Sequence, residues 1–244
     1  MHASALTQAD ITQARATKFV ADVYVRMILA LITSSVIGYV SIQSGFLLSS
    51  LETMGRGLTL AIFGTQLLTV IAFQGSIFSM KPALARALFA VYAVITGLTL
   101  GLVGLIYTLD SILMVTMLSS AAFAGLAIYG KTTQRDLGPI GAFALSALMM
   151  LMVFGLGLLL TSFVPALQPF MDAAMKLHAV IGTVIFSAMI AYESQKLKAI
   201  ARQLAQQTAH DDEIEVFVNS AALSMYMNFI GLFLSLMRLL GSRR

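Results

Sequence analysis

Residues 216–241 read VFVNSAALSMYMNFIGLFLSLMRLLG, and this stretch decides the fold. About 20 apolar residues, at 1.5 Å rise each, cross the ~30 Å hydrocarbon layer of a bilayer, so the segment is long enough to span one. It also carries small and polar residues, Ser220, Ser224, Asn228, Gly231, Ser235 and Arg238, at steps of 4, 4, 3, 4 and 3. That spacing places them on one face of a helix. Hydrocarbon satisfies neither an amide nor a hydroxyl, so this face is expected to look at other helices or at water. Leu223, Met227, Ile230 and Leu234 form the opposite, apolar side. The last helix is therefore expected among the others, as the inner wall of whatever they enclose.

The whole chain agrees. Of 244 residues, 59% are hydrophobic and 11% charged, and mean hydropathy is +0.90. Soluble domains are about 25% charged, so this is a polytopic membrane protein. The first 25 residues are polar and mixed in charge, with no early apolar core, and no cleaved signal peptide is expected. There is no cysteine, which excludes disulfides and thiolate metal sites. The net charge of +4 sits in connections and reports topology; no nucleic-acid partner is expected.

Residues 1–26 form a polar arm ending in a surface helix, with Ile11, Phe19, Val20 and Val23 available to lipid headgroups. A transmembrane domain follows over 27–241. Its apolar segments lie near 27–49, 57–79, 84–108, 112–130, 138–163, 172–193 and 216–240. Pro82 and Pro139 suit the first turns of new helices. Gly97, Gly101 and Gly104, at steps of 4 and 3, offer a surface for close helix contact. Gln66 and Gln74 are read as packing hydrogen-bonders. The long cytoplasmic connection 194–215 begins SQKLKAIARQLAQQ and is helix-prone, so it is read as helix six continuing, with Asp211, Asp212, Glu213 and Glu215 at the start of the next helix. Lys and Arg concentrate on the side that holds the N-terminus, which makes that side cytoplasmic by the positive-inside rule. The basic residues after Arg238 run against this bias.

No catalytic constellation stands out. His178 is the one histidine within a span, no G-x-S-x-G occurs, and Asp110 and Asp172 sit at helix edges, where capping is expected. There is no Walker loop, dinucleotide fingerprint or His/Cys metal cluster. The chain is not expected to be an enzyme or to hold a cofactor. One carboxylate remains at a membrane edge: Glu193, in AYESQKLK, with Lys196 and Lys198 as ordinary helix-end partners.

Four pieces resemble the Bax inhibitor-1 (transmembrane BAX inhibitor motif) family, and within it the bacterial inner-membrane members. They are TGLTLG (Thr96–Gly101), YGKTTQRDLGPIGAF (Tyr129–Phe143), AYESQKLK (Ala191–Lys198) and ALSMYMNFIGLFLSLMRLLG (Ala222–Gly241), in this order on seven apolar segments. The resemblance implies an all-α fold of seven transmembrane helices, six around a central C-terminal one. It also implies a pH-sensitive calcium leak, switched by an Asp in a Y-D-T-Q motif ending helix six and an Asp in the L-Y-L-D-F-I-N-L-F motif of helix seven. Two neighbouring carboxylates share a proton because they cannot both ionise cheaply.

This chain departs at both positions, with Glu193 in Tyr192-Glu193-Ser194-Gln195 and Asn228 in Met225-Tyr226-Met227-Asn228-Phe229. Losing one titrating group implies a weakened or shifted pH response. A calcium ion would meet Glu193 as its one charged ligand and bind less well. Ser220, Ser224 and Ser235 are candidates to line the path, and Lys81 and Arg86 to pair with the acid. Some bacterial relatives instead restrain a membrane-bound AAA protease and lack the di-acid pair. That role needs no pore, and the N-terminal arm would make the contact.

Overall fold

The computed structural model describes residues 8–76, 81–161, 164–206 and 211–244. Eight α-helices form in chain order: α1 Gln8–Gln43, α2 Phe46–Met54, α3 Arg56–Ser76, α4 Pro82–Ile106, α5 Leu109–Thr132, α6 Gly138–Thr161, α7 Gln168–Gln206 and α8 Asp211–Leu240. A 3-10 turn, Pro165–Leu167, precedes α7. Six helices are long and apolar enough to cross a membrane, and α2 with α3 makes a seventh if that pair, bent by 107°, is one span. The chain is an all-α polytopic membrane protein.

Two boundaries differ from expectation. The N-terminal arm is not a separate surface helix, because α1 runs unbroken through it into the first span. Phe19 and Val23 are buried at 5% and 0% exposure, so they pack against protein and not against headgroups. Ile11 lies outside the described side chains. The first apolar segment stops at Gln43 because Gly45 turns the chain at φ 71°, a left-handed conformation that glycine adopts without strain. Gly55, at φ 53°, then separates α2 from α3. Over its described residues the connection 194–215 follows expectation. Helix α7 continues to Gln206, as its helix-prone sequence suggests, because Leu197, Ala201 and Ala205 recur every four residues and bury one stripe.

The chain divides into two compact units: Met1–Ile106 with Leu197–Tyr226, and Tyr107–Lys196 with Met227–Arg244. In the first, α1 and α4 come into backbone contact. A methyl group on Gly97 would meet the Ser34 carbonyl and Ile37, and one on Gly101 would meet the Ser41 hydroxyl and the Gly38 carbonyl. The glycine face read from the sequence is this contact. Gln66 of α3 donates to the hydroxyls of Thr96 (3.2 Å) and Thr99 (3.3 Å) on α4. Gln74 lies outside the described side chains.

In the second unit, α5 is capped by Thr108, whose hydroxyl accepts from the Ser111 amide at 3.4 Å, and not by Asp110. Asp172 pairs one turn along α7 with Lys176 at 2.8 Å. The tail after α8 is tied to the start of α5: the Thr108 amide donates to the Ser242 carbonyl (3.0 Å) and the Ser242 amide to the Ser111 hydroxyl (2.9 Å).

Helix α8 is the most enclosed span. Of its apolar window 61% is buried, against 11–28% in the other five. The apolar side expected opposite the polar stripe does not face lipid: Leu223 and Ile230 are buried at 2% and 6% exposure. That side of the helix is covered by protein. Its half-buried positions follow one line that includes Ser220, Ser224, Met227, Gly231, Leu234 and Arg238.

Candidate ion pathway and gate

Glu193 sits where α7 is gripped most closely by its neighbours. A methyl group on Gly130 of α5 would collide with the carbonyl oxygen of Ala191, and one on Gly141 of α6 with the ring of Tyr192. The α5–α6 connection is then stapled to α7 by a single side chain. Gln195 accepts from the Leu137 amide at 2.9 Å and donates to the Arg135 carbonyl at 2.8 Å. Ser194 is fully buried and returns its proton to the Ile190 carbonyl at 2.7 Å. The tetrapeptide Tyr192–Gln195 is thus held on three sides, and Glu193 projects from a fixed backbone.

Its side chain is 14% exposed and its carboxylate meets the Lys196 ammonium at 3.6 Å. Lys196 also lies 5.8 Å from the centre of the Tyr192 ring, so a cation–π contact helps hold the ammonium in place. Of the two helix-end partners open to Glu193, the structure uses Lys196. Asn228, on the same unit's part of α8, is buried at 4% exposure. Among the described residues no hydrogen bond joins it to Glu193, and no three His, Asp or Glu side chains converge as a metal site.

Ser235 and Gly231 make close helix contacts. The Ser235 hydroxyl fills the space left by Gly182 of α7, and the Phe186 ring lies over Gly231. Ser220 and Ser224, in the first unit, are half-buried on the open line of α8.

The two basic candidates behave differently. Lys81 is exposed, and its carbonyl accepts from the amides of Leu84 and Ala85 at the start of α4. Arg86 is engaged by Glu215 at 3.3 Å. Arg26 reaches the same carboxylate oxygen at 3.5 Å and donates to Asn219 Oδ1 at 2.7 Å. Sequence reading had assigned Glu215 only to an acidic helix start; its partners lie more than a hundred residues away along the chain. Tyr226, fully buried about three turns further on, was missed for the same reason. It is bonded to Ser34 and flanked edge-on by Phe89 and Tyr92, each at 5.9 Å between ring centres.

The family described as inhibitor of apoptosis-promoting Bax1 matches residues 16–244. The chain belongs to the Bax inhibitor-1 family. It is 30% identical to the inner membrane protein YbhL of Escherichia coli over 237 residues, which covers 96% of this chain and 97% of that one. It is 32% identical to an uncharacterized Caulobacter vibrioides protein (93% and 89% covered) and 32% identical to the uncharacterized protein RP147 of Rickettsia prowazekii (93% and 90% covered). These matches run nearly the length of the chain, and the family match takes in residues 193 and 228. The likeness read from four short motifs is therefore a relationship of whole chains.

Proposed function

We propose that this Bax inhibitor-1 protein is a pH-modulated cation leak of a bacterial inner membrane, with calcium as the foremost permeant ion and the N-terminus in the cytoplasm. Its gate differs from the family's di-acid pair in using Glu193 and Asn228. The observation that carries this reading is Glu193 itself. An ionisable side chain only 14% exposed on a membrane helix is costly, and such residues mark ion paths. A glutamine would fit the same space at lower cost. We assign the protein no catalytic step and no resident cofactor.

The test is calcium and proton flux into dye-loaded proteoliposomes. Glu193→Gln should change the flux, and Asn228→Asp should gain pH dependence between about pH 6 and 8, where a shared proton between paired acids titrates. Unaltered flux in Glu193→Gln, or a wild type already as steep in pH as a di-acid relative, refutes the reading.

A second reading, restraint of a membrane-bound AAA protease, has one observation in its favour. The first turns of α1 expose Ala14, Arg15, Thr17 and Lys18 while Phe19 is buried behind them, so the arm presents a rigid polar face. On that reading, deletion of residues 1–20 abolishes function and Glu193→Gln is silent.

A further inference from the structure

We propose that Glu215, Arg26 and Arg86 form an electrostatic latch that holds the head of α8 against α1 and α4. This rests on reading α8 as the gate helix. All three residues lie in the first unit, whose α1 and α4 are locked together by the contacts at Gly38, Gly97 and Gly101. Two guanidiniums, one from each of those helices, converge on a single oxygen of Glu215, at 3.5 and 3.3 Å. Arg26 takes a second hold on α8 through Asn219, buried at 1% exposure. The amide of Asn219 is oriented by its own bond to the Glu215 carbonyl at 2.9 Å, which leaves Oδ1 facing Arg26.

Two features separate this arrangement from an ordinary surface ion pair. The carboxylate is shared, so its loss leaves two like charges facing each other, and the contact switches from attractive to repulsive. The carboxylate and Arg26 are also only 26% and 30% exposed, where water screens them weakly. The arrangement therefore has two states, closed with the acid present and sprung without it. Glu215 precedes Asn228 by thirteen residues on one continuous helix, and the latch acts on the part of that helix that lies in the first unit. Where the family resemblance places a second acid at position 228, the acid of α8 that meets basic partners among the described residues is Glu215.

The chain has no cysteine, so Ser220→Cys, at a half-buried position one turn beyond the latch, provides a single reporter thiol. In proteoliposomes its rate of labelling by a charged, water-soluble maleimide reads the opening of the helix head. Glu215→Gln should speed labelling about tenfold, and Arg86→Gln about threefold, the scale of one or two part-exposed ion pairs. Glu215→Asp should stay near the wild-type rate. Arg26→Gln added to Glu215→Gln should slow labelling again, because it removes a stranded cation; a merely structural defect would make the double variant worse. Unchanged labelling in Glu215→Gln overturns the latch. Should that variant fail to fold, Arg86→Gln decides, since its side chain is 60% exposed and tolerates replacement. Calcium flux is followed in parallel. Faster labelling with raised flux supports both latch and leak, whereas faster labelling with no flux in any variant keeps the latch and removes the leak.

Discussion

The Tyr226 hydroxyl is hydrogen-bonded to Ser34 Oγ, and the serine's other partners favour the phenol as donor. Ser34 has one proton and lies 2.8 Å from two carbonyl oxygens, Ala30 on its own helix and Ala93 on α4, so its proton goes to them. The phenol therefore gives its own proton to the serine lone pair. One hydroxyl ties α1, α4 and the first half of α8 together. The two ends of this bond are not equivalent. Tyr226→Phe removes a donor and strands nothing, at a cost of about 1 kcal/mol, whereas Ser34→Ala leaves a fully buried phenol without that acceptor, at about 1–3 kcal/mol. Thermal unfolding in detergent should rank Ser34→Ala below Tyr226→Phe, with the double variant no worse than Ser34→Ala. The reverse ranking would contradict the bond's direction.

Gly130 and Gly125 lie on the same helix, and their replacement by alanine should have opposite effects. A methyl group at Gly130 runs into the backbone of Ala191, which cannot move aside without shifting α7 under Glu193. Gly130→Ala should cost about 1–3 kcal/mol, the range of overpacked cores. At Gly125 nothing lies within 4 Å, so Gly125→Ala should be neutral or gain up to about 1 kcal/mol from helix propensity. Midpoints of unfolding for the two variants check this directly.

Much of the fold could be read from the chain alone, because in a membrane the rules are local. Apolar runs mark the spans, Pro82 and Pro139 open α4 and α6, and the recurrence of Gly97, Gly101 and Gly104 marks the α1 contact. Glycine is also where that reading fails. Gly45 and Gly55 take positive φ and break the path of the chain, while Gly97 stays helical; residue type does not separate them, and only the polar neighbours of the first two, Gln43-Ser44 and Arg56, mark the turns. The candidate site was legible where a motif is contiguous, as at Tyr192–Gln195, whose backbone the neighbouring helices clamp. It was not legible where partners come from distant helices. Arg26 and Asn219 are 193 residues apart, and Ser34 and Tyr226 are 192 apart, so no local pattern announces either contact.

His178 is held in one tautomer. Its Nδ1 lies 3.3 Å from an Arg238 guanidinium nitrogen, which can only donate, and its Nε2 lies 3.2 Å from the Leu151 carbonyl, which can only accept. The proton therefore sits on Nε2 and the ring is neutral; a proton on Nδ1 would point at a permanent cation. Gly155 leaves room for the ring, since a methyl there would come within 3.0 Å of Nε2. Nitrogen-15 spectra of histidine-labelled protein should show His178 protonated at Nε2 and bare at Nδ1. His178→Phe should erase that signal and leave Arg238 without its acceptor. A signal from Nδ1–H would reverse the assignment.

Glu193 and Lys196 should not be equally replaceable, although they form one ion pair. The carboxylate is 14% exposed and the lysine side chain 47% exposed, so water can solvate the ammonium alone but not the acid alone. Glu193→Gln removes the group that needs a partner and leaves a lysine that turns to solvent, at a cost of about 0–1 kcal/mol. Lys196→Met leaves the enclosed carboxylate without its cation and takes the cation–π contact over Tyr192 with it, so it should cost more, about 1–3 kcal/mol. Denaturation midpoints of the two single variants and the double variant measure the difference. In the double variant the stranded charge is gone, and stability should recover toward that of Glu193→Gln. The same series bears on the proposed leak: a carboxylate freed from Lys196 is open to a passing cation, so Lys196→Met should raise calcium flux in the liposomes in which Glu193→Gln changes it. If Lys196→Met is no less stable than Glu193→Gln, the acid is better solvated than its enclosure implies, and the ground for assigning it to an ion path goes with it.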